Sequence, residues 1–351
     1  MDTEISNRVN KKILISIIAA GIAALFVFQK PAFPGSQADC EDCPEKIELS
    51  KDNDFETEDV TFNLKSRHGY NIRVRSVRPR FSKYPEKRFP TVLRIAGGWG
   101  VSTFLLNNRL TKKAASDGLI IVAFDTEPKL KEKTGSRIRD YNGFKDQDDA
   151  ATVLASILNH PNVNPDMVGV WSHSNGITLA SGVLGREKYK ELSEKIIFLL
   201  DDEGPHCPED MIDTPDIETH TKGIRSIWRN KVINAKVGAG MDYRTTGEFF
   251  SERCAVNFIG NFKGVYQRVQ AKNDHEVAYY YGHAVAMINT AVNGKAKWTR
   301  LNREPKDQIY KSAELPDGID IESVLDVEKI RGPNDRRIWD LLFSLFHELQ
   351  K

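Results

Sequence analysis

The sequence predicts an α/β protein: a mostly parallel central sheet with helices on both faces, preceded by an antiparallel hairpin and interrupted by a cap insertion. Three observations predict it. Apolar runs at residues 91–96, 119–124, 167–171 and 195–200 are continuous enough to be buried on both faces, as central parallel strands are. Helical stripes lie between and after these runs, and strands alternating with helices imply parallel crossover connections. Ahead of them, residues 60–64 and 71–77 alternate apolar and polar side chains around Arg67-His68-Gly69-Tyr70, the pattern of a hairpin with one solvated face.

The helices follow from spacing. Ala150, Val153, Leu154, Ile157 and Leu158 share one face, with Asp146 as the cap and Asp148 and Asp149 in the first turn. His160-Pro161 and Asn164-Pro165 break that helix. Ile177, Ala180, Val183 and Leu184 give the next helix its buried stripe. Residues 265–271 resume strand character, residues 283–292 form a helix closed by Gly294, and residues 298–301 make a last short strand. Asn334 or Asp335 caps the final helix, whose stripe is Ile338, Leu341, Leu342, Leu345 and Phe346. Residues 205–264 are irregular and polar, with helical character from Glu248 onward, and read as an insertion or cap.

The chain of 351 residues, 40% hydrophobic and 28% charged, is long enough to bury a large core. Fifty basic against forty-nine acidic side chains leave a formal charge of +1, so no global field favours nucleic acid. The partner expected is a small-molecule or acyl substrate. Residues 1–30 differ in kind: residues 13–28 carry no charge and follow Arg8, Lys11 and Lys12, the pattern of a signal peptide or membrane anchor. Membrane contact is expected through this segment if it is uncleaved. The basic flank places the rest of the chain outside the cytoplasm, in the periplasm or secreted. Residues 31–59, rich in Pro and acidic side chains, read as a linker, leaving residues 60–351 as the main domain. Four cysteines are too few for a disulfide scaffold; Cys40 with Cys43, and Cys207 with Cys254, are the pairs an oxidising compartment would allow. No further ligands stand at zinc spacing.

The chemistry centres on Ser172-His173-Ser174-Asn175-Gly176, a tight turn between a buried strand and an apolar helix. A serine hydroxyl attacks a carbonyl only when a base removes its proton and its own helix is out of the way. A sharp strand-to-helix turn presents it so, and the residues two before and two after must be small; Ser172 and Gly176 are. The amide of Asn175 then points at the developing oxyanion. Ile95-Ala96-Gly97-Gly98-Trp99-Gly100 supplies a second donor loop after an earlier strand, with the backbone N–H of Gly98 or Trp99 facing the tetrahedral intermediate.

On these motifs, with Asn164-Pro165-Asp166 ahead of the nucleophile strand and Glu248-Phe249-Phe250-Ser251-Glu252-Arg253 ahead of residues 265–274, the chain resembles the α/β-hydrolase superfamily, in its dienelactone-hydrolase and peptidase-like branch. The resemblance spans residues 60–350. It implies an acyl-Ser174 intermediate without a cofactor, and an aspartate ending the penultimate strand, here Asp274, that orients the histidine. Asp202 or Glu203, ending the strand after the nucleophile helix, is the alternative acid.

The base is harder to place. The resemblance implies a histidine after the last strand, and none follows Leu301 until His347. His283, in Gly282-His283-Ala284 at a helix start, is the first candidate and His275 the second, with His206 and His220 behind them. His68, His160 and His347 read as structural or solvent-facing, and His173 as pointing away from the nucleophile beside the oxyanion loop. Trp228, Tyr243, Phe249 and Phe250 offer an apolar wall. The expected activity is hydrolysis of a carboxylic ester, thioester or amide; a fold that has lost turnover, or acyl transfer through the same serine, are the alternatives.

Overall fold

A computed structural model describes residues 45–97, 101–131, 140–207, 250–272, 280–325 and 334–350. Nine strands are present among them, and eight run across one sheet in the order β2-β3-β5-β4-β6-β7-β8-β9. β2 (Thr57–Lys65) and β3 (Asn71–Pro79) form the leading hairpin, closed at Lys65 opposite Asn71, and β3 pairs antiparallel with β5 (Ile120–Thr126). From there every pairing is parallel: β5 with β4 (Lys87–Ile95), β4 with β6 (Val163–His173), then β7 (Ile196–Asp202), β8 (Val265–Val269) and β9 (Thr299–Leu301).

Helices cover both faces, which is why the central strands read as unbroken apolar runs. On one face α2 (Phe144–Leu158), α3 (Gly176–Gly185) and α4 (Tyr280–Val292) bury Leu154, Ile177, Val183 and Ile288 against Leu93, Val170 and Leu199. On the other, α1 (Arg109–Ser116) and α5 (Arg336–Gln350) bury Ala114, Leu342 and Phe346 against Val92, Trp171 and Phe198. The predicted stripe of α5 is therefore its packing face. Asp335 caps it, accepting from Arg337 N at 3.0 Å.

Three expectations change. Residues 45–59 belong to the domain where the sequence suggests linker: β1 (Glu45–Lys46) pairs in parallel with Lys87 and Arg88 of β4, and Ile47 and Leu49 are buried. Two apolar residues in an acidic run carry too little period to reveal a strand. α2 begins at Phe144 with Gly143 as its cap, so Asp146 lies inside the first turn, accepting from Asn142 N at 2.8 Å. α4 begins at Tyr280, three residues before His283. No described helix is long and apolar enough to cross a membrane; the apolar segment at residues 13–28, with Cys40 and Cys43, lies outside the described residues.

Candidate active site

β6 delivers Trp171 and Ser172, both fully buried, to the edge of the sheet, where the chain must reverse into α3. Ser174 makes that reversal at φ +49°, a left-handed conformation that a residue with a Cβ adopts only when its surroundings fix it. The surroundings do so by removing space. A Cβ on Gly97 would stand 2.5 Å from the Ser174 Cβ and 2.6 Å from the His173 carbonyl oxygen, and one on Gly176 would stand 2.9 Å from the carbonyl oxygens of Ile95 and Ala96. The end of β4, where the predicted oxyanion loop begins, is thus in van der Waals contact with the Ser174 turn. Gly98 and Trp99 lie outside the described residues.

Two anchors hold this neighbourhood that sequence reading missed. Asp125, fully buried at the end of β5, accepts from Ser102 N at 2.7 Å and Thr103 N at 2.9 Å, with Lys129 Nζ 3.0 Å away, so the chain that leaves β4 at Gly97 is pinned again at Ser102. Asn142, at φ +67°, donates from Nδ2 to the Asn175 carbonyl oxygen at 2.9 Å and to Thr178 Oγ1 at 3.0 Å, bracing the first turn of α3. An Asn beside Gly in Tyr141-Asn142-Gly143 is the only local hint, since Asn tolerates the left-handed region. Asn175 itself is buried where its amide heads the helix, the position expected of an oxyanion donor.

The end of β7 places three consecutive acids in the interior, each with its own partner. Asp201 accepts from the Tyr266 hydroxyl at 2.6 Å and pairs with buried Arg268; burial pushes its carboxyl up, and Arg268 opposes that. Asp202 Oδ2 lies 3.0 Å from His173 Nδ1, and its carbonyl oxygen accepts from Ser174 N at 2.8 Å. Glu203, at φ +52°, accepts from Ala271 N at 3.1 Å and donates its own N–H to the Val269 carbonyl at 3.0 Å. The guanidinium of buried Arg94 lies 4.0 Å from the Trp171 ring centre; burial lowers its pKa to about 9, and the Asp202 charge works against that.

The predicted bases separate. His283 is buried, and its Nδ1 is in hydrogen-bonding contact with Nδ1 of His206, whose backbone N–H also points at it over 3.4 Å. His206 stands four residues beyond Asp202 and next to Cys207, which is disulfide-bonded to Cys254. Asp202, the alternative acid, therefore faces His173 rather than His283. The sequence cannot show this, because it depends on the register that sets His173 opposite Asp202 across β6 and β7. Asp274, His275 and His220 lie outside the described residues. At the end of β9, where the resemblance implies the base, stands Asn302 at φ +48°, its side chain accepting from Gln270 N and donating to Gln270 O, both at 3.0 Å.

His68, His160 and His347 take structural places: His68 beside Asp148 at 3.6 Å, His160 against the Phe81 ring, His347 Nε2 2.6 Å from the Leu49 carbonyl. A cavity of about 1050 Å³ opens beside His206 between α4 and residues 311–322, with Tyr281, Val285 and Leu315 in its wall. Of the predicted aromatic wall, Phe250 is described and buried; Trp228, Tyr243 and Phe249 are outside the described residues. Among the described residues no cluster of three or more His, Cys, Asp or Glu side chains is placed to hold a metal ion.

No protein-family model and no curated protein matches the sequence. Solved structures do match. A puromycin hydrolase superposes with a TM-score of 0.59 at 11% identity, covering 84% of this chain and 40% of that one. Porphyromonas gingivalis dipeptidyl peptidase 4 gives 0.55 at 12%, covering 83% and 35%. Pyrococcus horikoshii acylaminoacyl peptidase gives 0.52 at 13%, covering 83% and 41%. The chain spans roughly two fifths of the length of these proteins, and identities this low speak to fold. The fold is that of the α/β hydrolases.

Proposed function

We propose that this chain is a serine hydrolase in which Ser174 attacks the carbonyl carbon of an acyl substrate. The observation that carries the reading is the left-handed backbone of Ser174 on the β6 to α3 turn, wedged between Gly97 and Gly176. A non-glycine residue held in that conformation costs about 1–3 kcal/mol, and such strain clusters where it aims a reacting group. In the proposed reaction a base takes the Ser174 proton as Oγ bonds to the carbonyl carbon. The oxyanion meets the Asn175 amide and the loop after Gly97. The base then protonates the leaving group, and water cleaves the acyl-serine by the same steps in reverse.

His283, with its partner His206, and then His275 are the base candidates, His220 standing behind them, and Asp274 is the candidate acid. The names of the superposing proteins, two peptidases and a puromycin hydrolase, favour an amide over a simple ester. The Cys207–Cys254 disulfide supports an oxidising compartment, in keeping with export by residues 1–30. One observation favours a second reading, a binding protein without turnover: Asn302 stands where the resemblance implies the base.

The discriminating experiment is labelling of the full chain with a fluorophosphonate probe, followed by assay on an aminoacyl p-nitroanilide and a p-nitrophenyl ester. Stoichiometric labelling that Ser174→Ala abolishes, with hydrolysis falling at least about 10³-fold, is the expected result. Full activity in Ser174→Ala excludes the mechanism. A folded chain inert to the probe favours the binding protein.

A further inference from the structure

We propose that His173 and Asp202 form a positioning pair that holds the nucleophile turn, so that Asp202 serves Ser174 rather than the general base. This rests on reading Ser174 as the nucleophile. Parallel pairing of β6 and β7 runs to its last step at His173 opposite Asp202. There one residue grips two successive residues of the turn. The Asp202 carbonyl oxygen accepts from Ser174 N at 2.8 Å, and its carboxylate Oδ2 lies 3.0 Å from His173 Nδ1. A carboxylate only accepts, so Nδ1 is the donor and the imidazole plane is fixed.

Burial makes this grip consequential. Asp202 is fully buried, and a buried carboxylate persists only with partners and compensating charge. Among the described residues Oδ1 of Asp202 has no hydrogen-bond partner, which leaves His173 as the side chain bonded to this carboxylate, with the Arg94 charge acting on it. The backbone of Ser174 stays left-handed only while its neighbours over-determine it. Gly97 and Gly176 exclude alternatives from two sides; the Asp202–His173 bond fixes the turn from a third. His283 is engaged by His206, so the only base candidate of the described residues on that helix is not the one Asp202 orients.

The test compares wild type, Asp202→Asn, His173→Ala and His173→Asn, in the full chain. Two quantities are measured: the second-order rate of Ser174 labelling by a fluorophosphonate from pH 5 to pH 9, and hydrogen exchange at the Ser174 amide. A displacement of the nucleophile of about 1 Å costs roughly a hundredfold in rate. Asp202→Asn and His173→Ala should therefore label about 10- to 100-fold more slowly at every pH, with the midpoint of the pH profile unmoved. Ser174 amide exchange should quicken about tenfold in His173→Ala, while Val92 and Leu93 in β4 keep their protection. His173→Asn, whose amide still donates to Asp202, should recover part of both.

A labelling midpoint displaced in Asp202→Asn would overturn the proposal, because that is the signature of a carboxylate paired with the base. So would wild-type rates and wild-type exchange in His173→Ala. If Asp202→Asn fails to fold, leaving Arg94 buried without its counter-charge, His173→Ala carries the test alone. If wild type itself does not label, the nucleophile reading fails, and the exchange comparison still decides whether the pair holds the turn.

Discussion

A methyl group on residue 97 has nowhere to go. Its nearest neighbours would be the Ser174 Cβ at 2.5 Å and a carbonyl oxygen at 2.6 Å, neither of them the flexible end of a side chain. Gly97→Ala must therefore move either the end of β4 or the Ser174 turn. We expect a stability loss of about 1–3 kcal/mol by urea titration, as for other overpacked sites. Probe labelling of Ser174 should fall by roughly 100-fold or more. Labelling at the wild-type rate would mean that the two segments part more easily than their contact suggests. At this scale the sequence is readable where local sterics demand a residue type, as at Gly97 and Gly176. It is mute where a partner comes from another strand: Asp202 and His173 are 29 residues apart, and only strand register joins them.

The start of α2 is the element whose electrostatics are least comfortable. Asp140 accepts from the backbone N–H groups of Lys145 and Asp146 at 2.9 and 3.2 Å and lies beside Arg253. Burial, and then the neighbouring Asp146 carboxylate, raise its pKa to about 7, with Arg253 opposing. The folded state therefore holds a proton that the unfolded chain has released by about pH 4, where carboxyls normally titrate. The folded chain binds more protons between those two values, so stability falls as pH rises from about 4 to about 7. We expect a loss on the order of 2 kcal/mol from this site, seen as a lower urea midpoint at pH 8 than at pH 5. Asp140→Asn, which keeps the acceptor, should flatten that slope; an unchanged slope would refute the assignment. Elements were the most legible level. The stripes of α3 and α5 and the leading hairpin followed from period alone, whereas α2 and α4 began earlier than their apolar pattern, because helix starts are set by caps and polar first turns.

For the whole molecule, legibility followed burial. The central strands announced themselves because they are covered on both sides, while β1, two residues pairing with β4, left no period to read. The Cys207–Cys254 bond ties chain positions 47 residues apart. Closing a loop of that length restricts the unfolded chain by roughly 4 kcal/mol in the loop-entropy account. The double variant Cys207→Ser/Cys254→Ser should lose about 2–4 kcal/mol in urea unfolding, and reductant should lower the wild-type midpoint by a similar amount. A midpoint insensitive to reductant would show that the bond contributes little to stability.

That bond also has a geometric side. The Cα atoms of Cys207 and Cys254 are 4.1 Å apart, about the spacing of adjacent residues in a chain. The residues just ahead of Cys254 are packed into the domain: Phe250 and Arg253 are buried, and Arg253 Nε donates to the Tyr141 carbonyl at 3.1 Å. To the sheet, the bond brings Cys207, just beyond β7, and Cys254, ahead of β8, as near to each other as a single peptide link would. The bond is a rivet: it fastens the residues that follow Asp202 at the end of β7 to the segment whose Arg253 reaches Asp140 at the start of α2, and so joins two parts of the chain that border the Ser174 turn.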